Sequence, residues 1–231
     1  MPALELKDVA KTFIMHLQGG LKLPVLHDVS FAADAGQCVV LTGPSGAGKS
    51  SILKLIYGNY RCDEGAILVR DGDTRVDLAT APPRRILAVR RRSLGYVTQF
   101  LRAVPRVSAL DIVAEPLIAE GAVAAEATEA AAAMLTRFNV PERLWSLPPA
   151  TFSGGEQQRI NLARGLLPEH PILLLDEPTA SLDAANRAVV VDIVRERKAR
   201  GAAIVAIVHD EQVRDDIADV AVDVTRFAFA A

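Results

Sequence analysis

The apolar residues of this chain gather into short dense runs, separated by stretches where they recur at helical spacing. Gln37 to Leu41 is one such run, the pattern of a buried parallel strand. It breaks at Gly43, and apolar positions resume at Ile52, Leu53, Leu55 and Ile56, which predicts a helix. Further strands are predicted over Leu94–Thr98, over Pro171–Leu175 (four aliphatics behind a proline) and over Ala203–Val208. Residues 100–168 read as mostly helical, with segments at Ser108–Glu120, Ala122–Asn139 and Ser153–Leu166. From Pro171 onward strand, helix, strand, helix and strand alternate. This order predicts an α/β fold, with a mixed sheet core, an antiparallel β part and a helical lobe inserted before the Pro171 strand. The expected organisation is one domain over 1–231, with a core of 1–99 and 169–231 and a helical subdomain of 100–168.

Half of the 231 residues are apolar, yet no run has the length of a bilayer span. Ala122–Ala133 is alanine-rich but broken by Glu126 and Glu129, and Lys7 and Lys11 interrupt the N-terminus before any signal-peptide pattern. Two cysteines, Cys38 and Cys62, form no disulfide framework and suggest a reducing compartment. A cytoplasmic protein without direct membrane insertion is expected. The formal net charge of −2 argues against nucleic acid as a general partner. Four histidines give no metal spacing, His16 and His27 included. Arg84, Arg85, Arg90, Arg91 and Arg92 form one dense basic run, read as a solvated helix face or, more sharply, as a contact for an acidic partner.

Gly43-Pro44-Ser45-Gly46-Ala47-Gly48-Lys49-Ser50 has the G-x-x-x-x-G-K-S spacing between a strand and a helix. In that context it is a phosphate cradle for ATP: glycines let backbone N–H groups close on phosphate oxygens, Lys49 reaches the β- and γ-phosphates, and the Ser50 hydroxyl ligates Mg²⁺. Ser51, next on the helix, is grouped with the cradle. Asp176 stands at the end of the Pro171–Leu175 strand, where ligand chemistry gathers in α/β sheets. It is the expected outer ligand of Mg²⁺, and Glu177 beside it the expected base that orients water. Ser153-Gly154-Gly155-Glu156-Gln157 opens a helix, with Ser153 and Glu156 in capping-box register. A capping box does not require Gly154 and Gly155, which weaken a first turn; they suit a backbone that approaches an anion.

In this order the three segments resemble the nucleotide-binding domain of ABC ATPases; Ser153–Gln157 matches the signature S-G-G-x-Q, with Glu156 at the variable position and Phe152 where many members have Leu. The resemblance covers essentially the whole chain and implies a P-loop NTPase of ABC ATPase type. It also implies roles: Phe13 stacks on adenine, unless it is core; Gln99 touches Mg²⁺ and senses the partner; and Ser181-Leu182-Asp183 crosses a dimer seam. His209 contacts the γ-phosphate, unless it is a buried strand-end histidine. Ser153, Gly154, Gly155 and Gln157 serve the ATP of a second ABC-type subunit, itself or a paralogue, in a head-to-tail clamp. Four stretches, Thr12–Gly20, Asp77–Pro82, Gln99–Arg102 and Asn139–Trp145, are similar to the L subunit of the bacterial carbon–phosphorus lyase system. That implies an ATPase serving a multi-subunit core that couples alkylphosphonates to the ribose of a nucleoside triphosphate. Two other classes stay open: the energising subunit of a membrane transporter such as a lipoprotein exporter or peptide-efflux pump, and a clamp that binds ATP without hydrolysing it.

Overall fold

The computed structural model describes residues 1–15, 17, 19–101 and 105–229. His16, Gln18 and Arg102, named in the sequence reading, lie outside the described residues. Strands β1 (Leu4–Met15) and β2 (Leu21–Ala33) form a hairpin; β4 (Glu64–Asp71) and β5 (Thr74–Asp77) extend it into an antiparallel sheet ordered β2-β1-β4-β5. A second, parallel sheet is ordered β6-β7-β8-β3-β9, from β6 (Leu94–Val97), β7 (Ile172–Asp176), β8 (Ala203–Ile207), β3 (Cys38–Thr42) and β9 (Val220–Asp223).

Every residue of β7 and β8 is buried, because both faces of the parallel sheet are covered. The period-two alternation of side chains assigns the two faces to different cores. Cys38, Val40, Leu173, Leu175, Ile204 and Ala206 join a core shared with helices, while Val39, Leu41, Ile172, Leu174, Val205 and Ile207 join one shared with the antiparallel sheet. The aliphatic runs are therefore continuous, as the sequence pattern requires.

Among the described residues, seven α-helices surround the sheets: α1 (Lys49–Ile56), α2 (Pro83–Arg92), α3 (Ala109–Glu120), α4 (Ala124–Arg137), α5 (Gly154–Leu166), α6 (Ala184–Ala199) and α7 (Glu211–Ile217). Helix α1 lies against β7 and β8, whereas α3, α4 and α5 pack on one another and α5 reaches β6. Ala127, Ala131 and Leu135 form the buried stripe of α4, at the i, i+4 spacing of one helix face. Among the described residues no helix is long and apolar enough to cross a membrane.

The arginine run on α2 is more than a solvated face. The buried carboxylate of Asp71 accepts from Ser93 Oγ at 2.7 Å and from Arg92 at 2.8 Å, and pairs with Arg85 at 3.1 Å. Arg90 lies 4.3 Å over the Tyr57 ring and donates to the Tyr57 carbonyl at 2.7 Å. These contacts fasten α2 to β4 and to the end of α1. Arg84 and Arg91 remain exposed.

Cys38, on the helical face of β3, has its thiol pushed up to about 12 by burial. The thiolate is the reactive form. Native protein is therefore expected to release little colour from a thiol reagent at pH 8 until denaturant opens the sheet. Rapid stoichiometric labelling of Cys38 in the folded chain would contradict this packing.

Candidate active site

The site begins with a sharp turn. β3 ends at Thr42, and the chain runs through Gly43–Gly48 into α1. Gly48 is the cap residue of α1 and has φ +98°, a conformation that side chains with a Cβ rarely adopt. A Cβ there would also stand 2.8 Å from Leu26 Cδ2, so β2 closes over the loop. Thr225 Cγ2 would lie 3.5 Å from a Cβ on Gly43, so the segment after β9 backs the other end. Pro44, Ser45 and Gly46 are exposed, whereas Ala47, Ser50 and Ser51 are partly covered. The loop thus offers its tip to solvent while both ends are held.

Lys49 is buried, and its Nζ donates to the carbonyls of Gly43 at 2.7 Å and Pro44 at 2.8 Å. The ammonium is held within the curl of the loop. Ser50 Oγ donates to Asp176 Oδ1 at 3.0 Å, and Tyr96 Oη donates to Oδ2 of the same carboxylate at 2.9 Å. The P-loop helix and the end of β7 are thereby joined. Asp176 is the last residue of β7 rather than the first beyond it, because its backbone still pairs with Ile207.

Glu177 sits just outside the strand at φ +52°, uncommon for a residue with a side chain. Its carboxylate is gripped from two sides. Gln99 Nε2, just after β6, donates to Oε2 at 3.0 Å; His209 Nε2, just after β8, lies 2.9 Å from Oε1. Three neighbouring strands therefore end in Gln99, Glu177 and His209, a convergence their distance in sequence hides. His209 is exposed rather than a buried strand-end histidine.

Phe13 lies in β1 opposite Leu23 and makes an edge contact with Tyr60, ring centroids 5.1 Å apart. Lys11 Nζ stands 5.3 Å from the Phe13 centroid. Tyr60, which the motif reading did not single out, is thus the ring that Phe13 meets within the chain; no local pattern marks it.

Ser153 caps α5 in a full capping box: its Oγ accepts from the Glu156 N–H at 3.3 Å, and Glu156 Oε2 accepts from the Ser153 N–H at 2.9 Å. The bond that Ser153 Oγ donates to Glu156 Oε2 at 2.8 Å, and after it that from the Ser153 N–H, holds the Glu156 carboxyl below its usual range. Gln157 Nε2 donates to the Phe152 carbonyl at 3.0 Å. Gly154 has open space where a Cβ would stand, whereas a Cβ on Gly155 would lie 3.3 Å from the Ser181 carbonyl oxygen. Close approach to an anion is therefore not needed to explain Gly155: the loop after β7 lies against it. Asp183 caps α6, accepting from the Asn186 N–H at 2.8 Å, and that bond, first among its causes, lowers its carboxyl's pKa.

The oxygen donor set of Ser50 and Asp176 suits a hard divalent cation such as Mg²⁺. The loop ammonium and the N–H groups at the start of α1 suit phosphate.

The family pattern described as ABC transporter matches residues 26–180. The lipoprotein-releasing system ATP-binding protein LolD of Maricaulis maris is 38% identical over 211 residues, 91% of this chain and 89% of that protein. The macrolide export ATP-binding/permease protein MacB of Brucella abortus is 34% identical over 214 residues. The chain is covered to 93% there but spans only 32% of that longer protein. Among solved structures, the dimeric ATP-binding cassette MJ0796 in a post-hydrolysis state bound to ADP and Pi superposes with a TM-score of 0.85 and 28% identity, over 96% of this chain and 95% of that one.

These relatives overturn the similarity to the carbon–phosphorus lyase L subunit, and with it the phosphonate function: the names they carry are those of transporter ATPases. The structure supplies the reason for the error. In their described residues, the four stretches that suggested the lyase subunit lie at strand ends and connections: the end of β1, the turn from β5 to α2, the residues just after β6 and the segment after α4. Connections vary most freely among proteins that share a scaffold, so they were weak evidence of identity. The P-loop turn, the strand-end carboxylates and the match over residues 26–180 carry the assignment instead: this chain belongs to the ABC transporter family, as an ATP-binding cassette ATPase domain.

Proposed function

We propose that the chain is the ATP-binding and hydrolysing subunit of a membrane transporter of the exporter kind named among its relatives, working at the cytoplasmic face as half of a two-ATP, head-to-tail clamp. Its partners are a second cassette, identical or paralogous, and a membrane-spanning component. The observation that carries this reading is the meeting of four elements at one point: Ser50 on Asp176 at 3.0 Å, and Glu177 between Gln99 and His209.

In this reading Gly43, Ser45, Gly46, Ala47 and Gly48 turn backbone N–H groups toward the triphosphate, and Ser51 completes the helix start. Lys49 exchanges its two carbonyl partners for phosphate oxygens. Ser50, Gln99 and Asp176 hold Mg²⁺, which neutralises charge on the phosphates when bound. Glu177 accepts a hydrogen bond from the attacking water and orients it, with His209 fixing the other carboxylate oxygen until it turns to the γ-phosphate. Phe13 offers its ring to adenine. Ser153, Gly154, Gly155, Gln157 and Asp183 face the nucleotide of the other cassette. The core of 1–99 and 169–231 and the helical subdomain of 100–168 divide these duties.

Ser153→Arg tests the clamp. It introduces a bulky cation at the start of α5 and leaves the P-loop untouched. ATP binding by the isolated chain is expected to persist while hydrolysis and ATP-driven association fail. Loss of ATP binding by the isolated chain would refute the two-subunit reading. Copurification from native membranes tests the transporter assignment: recovery with a membrane-spanning component is expected, and recovery only with soluble partners would overturn it.

A further inference from the structure

Helix α5, capped by Ser153, and the loop at Ser181–Asp183 belong to different parts of the chain, yet a line of polar contacts joins them. Arg159, one turn into α5, donates to the Asn139 carbonyl at 2.6 Å. Asn139 follows α4 at φ +53°, a conformation that asparagine tolerates better than most residues. Its Nδ2 donates to Asn186 Oδ1 at 3.2 Å, and Asn186 Nδ2 donates to Asp183 Oδ1 at 2.8 Å. Asn186 is 3% exposed, so this amide spends both ends on those two partners. Two direct contacts run parallel to it: Gln158 Nε2 reaches the Pro178 carbonyl at 3.4 Å, and the Ser181 carbonyl abuts Gly155.

The loop itself is held in an uncommon shape. Ser181 has φ +62° and Glu177 φ +52°; such conformations persist only where surroundings determine them. On the far side of the same helical turn, Arg187 pairs with Asp210, the residue after His209. The first turn of α6 therefore carries one arm toward α5 and another toward His209.

We propose that Asn186, braced by Asn139, is a positioning residue for ATP hydrolysis, fixing Asp183 relative to the start of α5 so that both meet a neighbouring cassette's nucleotide in one geometry. This rests on the reading that α5 and the Asp183 loop serve a second cassette. It needs no direct contact of either asparagine with nucleotide.

The test compares Asn139→Gly, Asn186→Ala and their double variant with the parent and with Ser153→Arg, in the whole chain. Glycine accepts the positive φ of position 139, so Asn139→Gly deletes the amide without straining the backbone. Each single variant is expected to bind ATP with the parent's affinity and to keep its KM within about twofold. Each should lose roughly tenfold in kcat, the scale of a misplacement below 1 Å. The double variant should be no slower than the slower single, since both break one connection. A purely structural role would lower melting temperature and leave kcat unchanged in the folded fraction; that result overturns the proposal. So would losses that multiply in the double variant. If Ser153→Arg hydrolyses ATP at the parent rate, the underlying two-cassette reading has failed instead.

Discussion

Glu177→Gln is expected to bind ATP as the parent does, to hydrolyse it about 10²–10⁴-fold more slowly, and to accumulate as an ATP-bound dimer. The amide keeps the shape of the carboxylate and one oxygen. It changes what the group can accept: Gln99 donates to one oxygen and His209 faces the other, and an amide nitrogen cannot accept from either. The variant should therefore disturb the Gln99–Glu177–His209 arrangement on one side while Ser50 and Asp176 remain joined. Phosphate release measured beside size-exclusion chromatography with ATP and Mg²⁺ separates the two effects. Turnover at the parent rate would end the assignment of Glu177 as the water-orienting base.

The second large effect is expected from Lys49→Ala. The ammonium is enclosed by the P-loop, bonded to the Gly43 and Pro44 carbonyls. Two charge-assisted hydrogen bonds to phosphate, at about 1.5–3 kcal/mol each, correspond to roughly 10²-fold or more in affinity. The free loop already satisfies the ammonium, which sets the net loss at the lower end, near 10²-fold. Hydrolysis should fall further, because charge grows on the phosphates as the bond breaks. Equilibrium titration with a fluorescent ATP analogue and a turnover assay at saturating ATP check the two parts. Unchanged affinity together with unchanged turnover would remove the P-loop from the mechanism.

What the sequence disclosed and what it hid divide along physical lines. The P-loop was legible because its spacing needs only local geometry: a strand, a loop that bends at Gly48, and a helix. The strands β7 and β8 were legible because burial on both faces demands unbroken aliphatic runs. The tie from Arg159 through Asn139 and Asn186 to Asp183 was not, because each residue is ordinary in its own neighbourhood and gains meaning only from packing. A second reason for Gly155 was hidden on the same account: its close neighbour, Ser181, lies in a loop beyond β7. Arg85 and Arg92 looked like solvated charge because nothing local reveals a buried Asp71. The mistaken lyase resemblance drew on connecting segments, where chain geometry constrains sequence least.

The order of strands in the parallel sheet has a consequence for synthesis of the chain. β3, which carries the P-loop, lies between β8 and β9, and the Cys38 N–H is bonded to Asp219 across 181 positions of sequence. When β3 leaves the ribosome neither neighbour yet exists. The hairpin β1–β2 and its partner β4 pair at much shorter range, so the antiparallel sheet can assemble while the parallel one waits. Long-range parallel pairing is slow and leaves strand edges open. β3 thus waits longest for its neighbours, and the P-loop it carries gains the backing of Thr225 only when the segment after β9 arrives.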